Sequence, residues 1–506
     1  MEPLAKSIEC SDNFNFAYDV VDVITSCEPH RRALVWCSET GEEKEFSFGE
    51  LAELSLQAAN YLAHHGIGRG SRVMLIMKRH YAYWYILLAL HRLGAVAIPA
   101  THMLTGSEIR YRIRLAKVEG IISIDEPELN ERIKKAACED IKLLCTTTDL
   151  EKDLPAYPAK MARQVTHYTD PMLLYFTSGT TGQPKAVLHN YAYPLYHIPT
   201  ARDWQGVVNG GLHLSVADTG WAKASWGKIY GQWLCGSAVM VYHCNNLFVK
   251  DLLNVIKKYQ VTTFCAPPTV YRSMIKNGFD ADAFASVKRA VTAGESMKPA
   301  IAAEFKEKTG LTIYCGYGQT ETALLTMNDS DDTTSLGKPM PMYALQLNNQ
   351  GEILLKSRHE KISGICMGYL DAQGKLISPL DENGFFHTGD LARYDEQGNL
   401  VFEGRTDDVI KSSGYRISPL EIENAMITHP HIADCAVTGV ADGERGYVVK
   451  ALVVLKKGIE ASRQEEKLLR SYALEYVESY KCPRIIEFCD HLPKTISGKI
   501  RRAALR

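Results

Sequence analysis

Between Leu173 and Asn190 the chain reads LLYFTSGTTGQPKAVLHN, an apolar run that breaks into hydroxyls and glycines, passes Pro184 and Lys185, and resumes as apolar sequence. This pattern fits a phosphate-holding loop between two strands. Backbone N–H groups come close to phosphate oxygens only where no β-carbon intervenes, as at Gly179 and Gly182, and the hydroxyls of Thr177, Ser178, Thr180 and Thr181 add neutral donors. Lys185 adds a positive charge. The usual P-loop order GxxxxGK[ST] does not fit, because Pro184 precedes Lys185 and Ala186 follows it. A Ser/Thr/Gly cluster taken alone reads as a surface turn, so its company in the chain decides.

Three further segments keep it company. GYGQTET, Gly316 to Thr322, follows the apolar LTIYC and leaves the aromatic face of Tyr317 beside bare backbone, a fit for stacking a purine. Thr320 and Glu321 supply a hydroxyl and a hard carboxylate for phosphate and Mg²⁺. In FFHTGDLARYDEQGNLVFEGRTDDVIKSSGYRISPLEIE, Phe385 to Glu423, the Asp390 carboxylate can accept both ribose hydroxyl protons, and Arg405 is a fixed cation. His387 in the same run reads as a structural turn histidine at least as well as a catalytic one. PKTISGKIRR, Pro493 to Arg502, carries Lys499 in a glycine-containing loop, which without context would simply be solvated.

The order Thr-Ser-Gly-Thr-Thr-Gly-x-Pro-Lys, taken with these segments, resembles the signature of the adenylate-forming superfamily, which includes acyl-CoA synthetases, luciferases and peptide-synthetase adenylation domains. The resemblance covers essentially the whole chain and is closest to medium-chain acyl-CoA synthetases, especially in ADTGWAKASWGKIYGQWLCG from Ala217 to Gly236. It implies that the hydroxyl-rich loop grips the β and γ phosphates of ATP, that Tyr317 stacks on adenine, that Thr320 contacts the α phosphate, and that Glu321 binds magnesium. Gly294, Glu295 and Ser296 fall where family members wrap adenine with backbone, Ser296 standing where many relatives have proline. Asp390 and Arg405 fall at the ribose, and Arg416 joins the phosphate contacts in one pose. Asp407 corresponds to a hinge, Gly414 and Tyr415 to a loop lining the thiol tunnel, and Lys499 to the adenylation lysine. For the acyl pocket the resemblance points to Trp221, Ala222, Ala293 and Gly318, with Trp226 as a further wall. Two-carbon-specific relatives carry tryptophan at the Gly318 position, so Gly318 is expected to remove a pocket floor and admit a tail of several carbons or a ring.

The implied activity is ATP-dependent acid:CoA ligation of a medium-chain, branched or aromatic carboxylic acid through an acyl-adenylate, releasing AMP and pyrophosphate. The implied cofactors are ATP, Mg²⁺ and coenzyme A as co-substrate. Two alternatives are an acyl-adenylate synthetase that loads a carrier-protein phosphopantetheine and a nucleotide-binding regulator without catalysis. Intact Lys499, Glu321 and Asp390 argue against the regulator.

The rest of the sequence positions these segments. β-rich runs at Ala33, Arg72, Ala95, Gly120 and Ile141, and again at Leu212, Ala238, Val261, Arg289 and Leu311, alternate with helical stretches such as 46–66, 249–258 and 299–308. Such alternation predicts an α/β fold of helix-covered sheets. Beyond Gly337 short β-like pieces suggest a small β unit closing a large N-terminal domain, 1–405. A compact, mobile α+β C-terminal domain, 406–506, follows. Balanced charge, net −2, gives no electrostatic argument for nucleic acid or an anionic membrane. No apolar stretch approaches the roughly 20 residues of a membrane span. Thirteen unclustered cysteines without a CxxC pair read as reduced, mostly buried thiols. A cytoplasmic protein acting on a small-molecule acid is expected, as a monomer or a homodimer.

Overall fold

The computed structural model describes residues 9–177, 184–359, 361–412, 415–443, 445–494 and 500–505, with backbone alone at Arg416 and Ala503. The chain forms two compact units, one built from residues up to 177, 184–344 and 356–386, the other from 345–355 and 387 onward.

Two sheets fill the first unit. In the eight-stranded sheet the order runs Leu376–Ile377, Gly368–Leu370, Lys185–Asn190, Pro171–Thr177, Val96–Pro99, Arg72–Ile76, Gly120–Ser123, Leu143–Thr146. Its half from Val96–Pro99 outward is parallel, while Pro171–Thr177 and Lys185–Asn190 form an antiparallel pair. A second sheet places Leu324–Met327 beside Ile313–Gly318, then Arg289–Ala293, Thr263–Cys265, Leu212–Ser215, Ala238–His243, Arg32–Ser38 and Glu43–Ser47. The expected strands are all present, those anticipated at Ile141, Val261 and Leu311 starting two residues later.

Local sequence explains the helices between them. Ser47 opens Phe48–His64 with a capping box to Glu50, and Gly66 follows the helix in the left-handed region at φ +77. The apolar YWYILLAL lies within Ala82–Leu93, buried at every position, so its hydrophobicity serves the core between sheet and helices. Arg92 at its end, fully buried, is bidentate to Asp22 at 2.6 and 2.8 Å and donates to Ser55 Oγ at 2.9 Å. Among the described residues no helix is long and apolar enough to cross a membrane.

In the second unit, Phe386–Tyr394 and Leu400–Arg405 form an antiparallel pair. Beyond them a sheet orders Tyr415–Ile417, Ile410–Ser412, Gly446–Leu455 and Ile432–Asp442, with Ile485–Phe488 parallel to Gly446–Leu455. Helices Pro419–Met426 and Arg463–Tyr476 supply Ile422, Met426, Leu469 and Ala473 to its apolar core.

Four histidines of the first unit, His91, His189, His197 and His213, are buried in its interior, and His80 is half-buried. Burial pushes the pKa of His189 down to about 4 and those of His80, His91, His197 and His213 down to about 3. The unfolded chain takes up protons below about pH 6.5 that the native state refuses, so stability falls as pH drops from there toward 4. At pH 5.5 each site should cost about 1 kcal/mol. Urea midpoints at pH 7.5 and 5.5 should therefore differ strongly; equal midpoints would show that these rings are protonated in the folded protein.

Candidate active site

The hydroxyl-rich segment leaves and re-enters the eight-stranded sheet at one point. Thr177 and Lys185 are direct cross-strand partners, and the hydroxyl of Tyr111 donates to Pro184 O at 3.0 Å. Ser178, Gly179, Thr180, Thr181 and Gly182 lie outside the described residues, as do Gly414, Lys499 and the Arg416 side chain. The ammonium of Lys185 sits 5.4 Å from the centre of the Tyr369 ring, and the Tyr369 hydroxyl donates to Glu321 Oε1 at 3.3 Å. Lys185 and Glu321, far apart in sequence, are thus brought to one tyrosine, the ammonium over its ring and the carboxylate at its hydroxyl. Tyr369 lies in no recognisable motif; it arrives because Gly368–Leu370 pairs with Lys185–Asn190.

Tyr317, Thr320 and Glu321 occupy the end of Ile313–Gly318 and the turn that follows. That turn is closed by Gln319 N to Thr322 Oγ1 at 3.1 Å and Thr322 N to Gln319 O at 3.2 Å. Behind it, buried His189 holds the Thr320 carbonyl through Nε2 at 2.8 Å, and Cys366 N donates to Glu321 O at 2.7 Å. With its pKa depressed by burial, His189 is a neutral imidazole here, and the bond to a carbonyl fixes the proton on Nε2. Sequence reasoning missed His189, whose neighbours are simply strand residues.

At the AGES segment, Gly294 adopts φ +104, and a β-carbon there would collide with the Lys223 ammonium. That ammonium donates to Ala293 O at 2.6 Å. Glu295 is partly buried and Ser296 exposed. Lys223 opens the helix Lys223–Gly227, directly after half-buried Trp221 and Ala222. A cavity of about 20 Å³ lies against this helix, lined by Trp204, Ser215, Lys223, Trp226, Cys265 and Ala293 among others. It has room for about one water.

A β-carbon on Gly318 would stand 2.5 Å from Trp226 Cη2 and 2.6 Å from Ala323 O. Any side chain at 318 would therefore meet the indole of Trp226, which stands directly beside the glycine. Burial pushes the thiols of Cys265 and Cys315 up to about 11 and about 12, which disfavours the thiolate form at both.

In the second unit Asp390 and Arg405 are cross-strand partners joined at 2.9 Å, the aspartate side chain 7 % exposed. Arg405 also reaches Asp407 through Nε at 3.3 Å and Thr388 O through Nη1 at 3.3 Å. Burial works against its charge, but the carboxylates of Asp390 and Asp407 more than offset this and hold the guanidinium pKa above its usual value. His387 pairs with Glu352 at 3.0 Å, in keeping with the structural reading. Tyr415 is exposed and stacks on Tyr480, ring centres 4.3 Å apart. The residues bordering Lys499 are tied down: Lys494 pairs with Ile500 in a β-bridge, Arg501 N donates to Pro493 O at 2.8 Å, and Lys494 meets Asp434 at 2.6 Å.

An α/β body with a hydroxyl- and glycine-rich segment between paired strands, followed by an α+β unit, is the architecture of nucleotide-dependent adenylating proteins. The chain belongs to the AMP-binding enzyme family: the family model matches residues 24–369, and that of the AMP-binding enzyme C-terminal domain matches 421–499. The rat acyl-coenzyme A synthetase ACSM3, mitochondrial, is 36% identical over 99% of this chain and 91% of its own length. The 4-hydroxybutyrate--CoA ligase 1 of Metallosphaera sedula is 36% identical over 97% of this chain and 90% of its own. The fold matches that of the anthranilate CoA ligase AuaEII in complex with anthranoyl-AMP, with TM-score 0.84, 24% identity, and 99% and 98% of the two chains covered.

His189→Leu would leave the Thr320 carbonyl unpaired in a buried setting and should cost about 1–3 kcal/mol of stability. Urea unfolding measures this; an unchanged midpoint would mean that the turn carrying Thr320 and Glu321 does not depend on the ring.

Proposed function

We propose that the protein is an ATP-dependent acid:CoA ligase that works through an acyl-adenylate. The observation that carries this reading is the full-length relatedness to proteins named as acyl-coenzyme A synthetases and CoA ligases, joined to a site whose residue types suit both half-reactions. In the first, a carboxylate oxygen attacks the α phosphorus of ATP and pyrophosphate leaves. In the second, the sulfur of coenzyme A attacks the acyl carbonyl, AMP leaves with the former carboxylate oxygen, and the thiol proton passes to solvent.

The roles assigned to individual residues belong to the proposal. Thr177 to Gly182 and Lys185 hold the β and γ phosphates, Tyr317 with the Gly294 to Ser296 backbone holds adenine, and Asp390 with Arg405 meets the ribose. Glu321 presents carboxylate oxygens, the donor type that suits magnesium; that ion would neutralise phosphate charge. The Tyr369 hydroxyl orients this carboxylate, and Lys185 over the ring limits its charge repulsion with phosphate. Lys499 stabilises charge shifting toward pyrophosphate. A pivot at Asp407, between domains 1–405 and 406–506, lets Lys499 give way to the path lined by Gly414 and Tyr415.

AMP release across a panel of carboxylic acids tests the reading. It should require both an acid and free coenzyme A for multiple turnover; release that ignores coenzyme A and demands a carrier protein would contradict it. Lys499→Ala should lose about 3 to 4 kcal/mol of transition-state stabilisation in carboxylate-dependent ATP–pyrophosphate exchange, while thioester formation from supplied acyl-adenylate changes little. Asp407→Pro should show the opposite selectivity, and equal slowing of both steps in either variant would count against the pivot.

A further inference from the structure

The α+β unit gathers three side chains that the ligase chemistry does not use. His429 and His431 lie in the turn between helix Pro419–Met426 and strand Ile432–Asp442, and Glu465 stands in the first turn of helix Arg463–Tyr476. Backbone bonds hold both histidines in place: His429 N donates to Met426 O at 3.0 Å, Ile432 N to His429 O at 3.1 Å, and Lys456 N to His431 O at 2.8 Å. Pro430 stiffens the link between them. Glu465 is fixed in turn, its N–H donating at 3.1 Å to the Ser462 hydroxyl that caps the helix. As a result one ligand atom from each of the three side chains lies within 4.8 Å of the other two, and among the described residues this is the one group of three His, Cys, Asp or Glu side chains so arranged. The two imidazoles meet edge to face with ring centres 4.8 Å apart, and Tyr472 packs edge-on to His429 at 4.7 Å. His429 and Glu465 are buried, whereas the His431 side chain is 35% exposed, so solvent reaches the group from the His431 side.

We propose that His429, His431 and Glu465 form a zinc site, with water in the fourth position, that ties the turn after helix Pro419–Met426 to the start of helix Arg463–Tyr476. Two imidazoles and one carboxylate are a donor set that suits Zn²⁺ and its late first-row neighbours, whereas Mg²⁺ takes oxygen donors. A tetrahedral Zn²⁺ about 2.0–2.2 Å from each donor holds them about 3.4 Å apart, so the group closes by about 1.4 Å at most from its present span. The half-exposed His431 ring can supply that movement by rotating about its own side-chain bonds. Two contacts give way to the ion: His431 Nδ1 with Glu465 Oε1 at 2.8 Å, and His431 N with His429 Nδ1 at 3.2 Å. Lys456, the neighbouring cation that acts on His429, opposes the ion, and the Glu465 carboxylate offsets it. With three protein donors the site differs from a closed structural zinc site and keeps a position for water. It stands independently of the acid:CoA ligase reading.

The test is titration of the chelator-treated full chain with Co²⁺, then Zn²⁺, followed by visible absorption, in the wild type, His431→Ala and Glu465→Gln. The wild type should develop ligand-field bands without the charge-transfer band that a cysteine thiolate adds, and Zn²⁺ should abolish them at one ion per chain while excess Mg²⁺ leaves them in place. His431→Ala and Glu465→Gln should each raise the Co²⁺ dissociation constant at least about tenfold. Zn²⁺ should also raise the thermal midpoint of the wild type and leave that of both variants unchanged. Far-ultraviolet circular dichroism checks that the variants fold, and the wild-type titration decides by itself should either fail to do so. A histidine–glutamate pair with a purely structural role binds no ion. Absence of ligand-field bands in the wild type, a spectrum dominated by thiolate, or equal dissociation constants in wild type and folded variants overturns the proposal. None of these outcomes touches acid:CoA ligation, which AMP release tests separately.

Discussion

The strand end from Gly316 to Gly318 passes two indole rings at distances that no β-carbon would tolerate. A side chain at 316 would begin 2.6 Å from Trp204, and one at 318 would begin 2.5 Å from Trp226. This steric constraint decides where the site's polar residues can stand. Because the glycine backbone runs close against these indoles, the strand keeps its line up to the Gln319–Thr322 turn, and Thr320 and Glu321 emerge at a fixed place. His189 and Tyr369 then engage that turn from the neighbouring sheet, one through the backbone carbonyl and one through the carboxylate. Packing comes first, and the hydrogen bonds refine what packing has placed.

Charge is managed in the same local manner. Asp390 and Arg405 face each other across a two-stranded ladder, so a nearly buried carboxylate is neutralised before any ligand arrives. A pair of this kind adds little net stability because desolvation consumes most of the Coulomb gain, yet removing one partner alone is expensive. Near the C-terminus Arg502 does similar work: it is bidentate to Glu423 at 2.5 and 2.7 Å, reaches Asp408 at 3.1 Å, and donates to Val437 O at 3.0 Å. The segment that carries Lys499 therefore ends on an arginine anchored to the residue after Asp407. Charge burial in this unit fixes the geometry of chain segments that would otherwise be loops.

Much of this was legible in the sequence, and the exceptions share a cause. Strand and helix positions followed from alternation of β-rich and amphipathic runs, and the Pro171–Thr177 and Lys185–Asn190 pair was readable because the motif interrupts an apolar run. Tyr369, His189 and Lys223 were not, since each acts on a partner that only the fold supplies: Glu321, the Thr320 carbonyl, the Ala293 carbonyl. Gly318 shows the limit most clearly. A glycine states that no side chain is present and is silent about its neighbours; here the indole of Trp226, from a different element, stands beside it. Local signals carry the chemistry well, while volume is conserved across the whole interior and cannot be read one position at a time.

What unites these observations is a site built to join a carboxylate oxygen to the α phosphorus of ATP and then to part the acyl group from it. The most direct measurement is to supply a carboxylic acid labelled with ¹⁸O in both oxygens, together with ATP and coenzyme A, and to weigh the released AMP by mass spectrometry. The account requires one labelled oxygen in each AMP formed and none in the pyrophosphate. AMP without label, or label appearing in pyrophosphate, would contradict it.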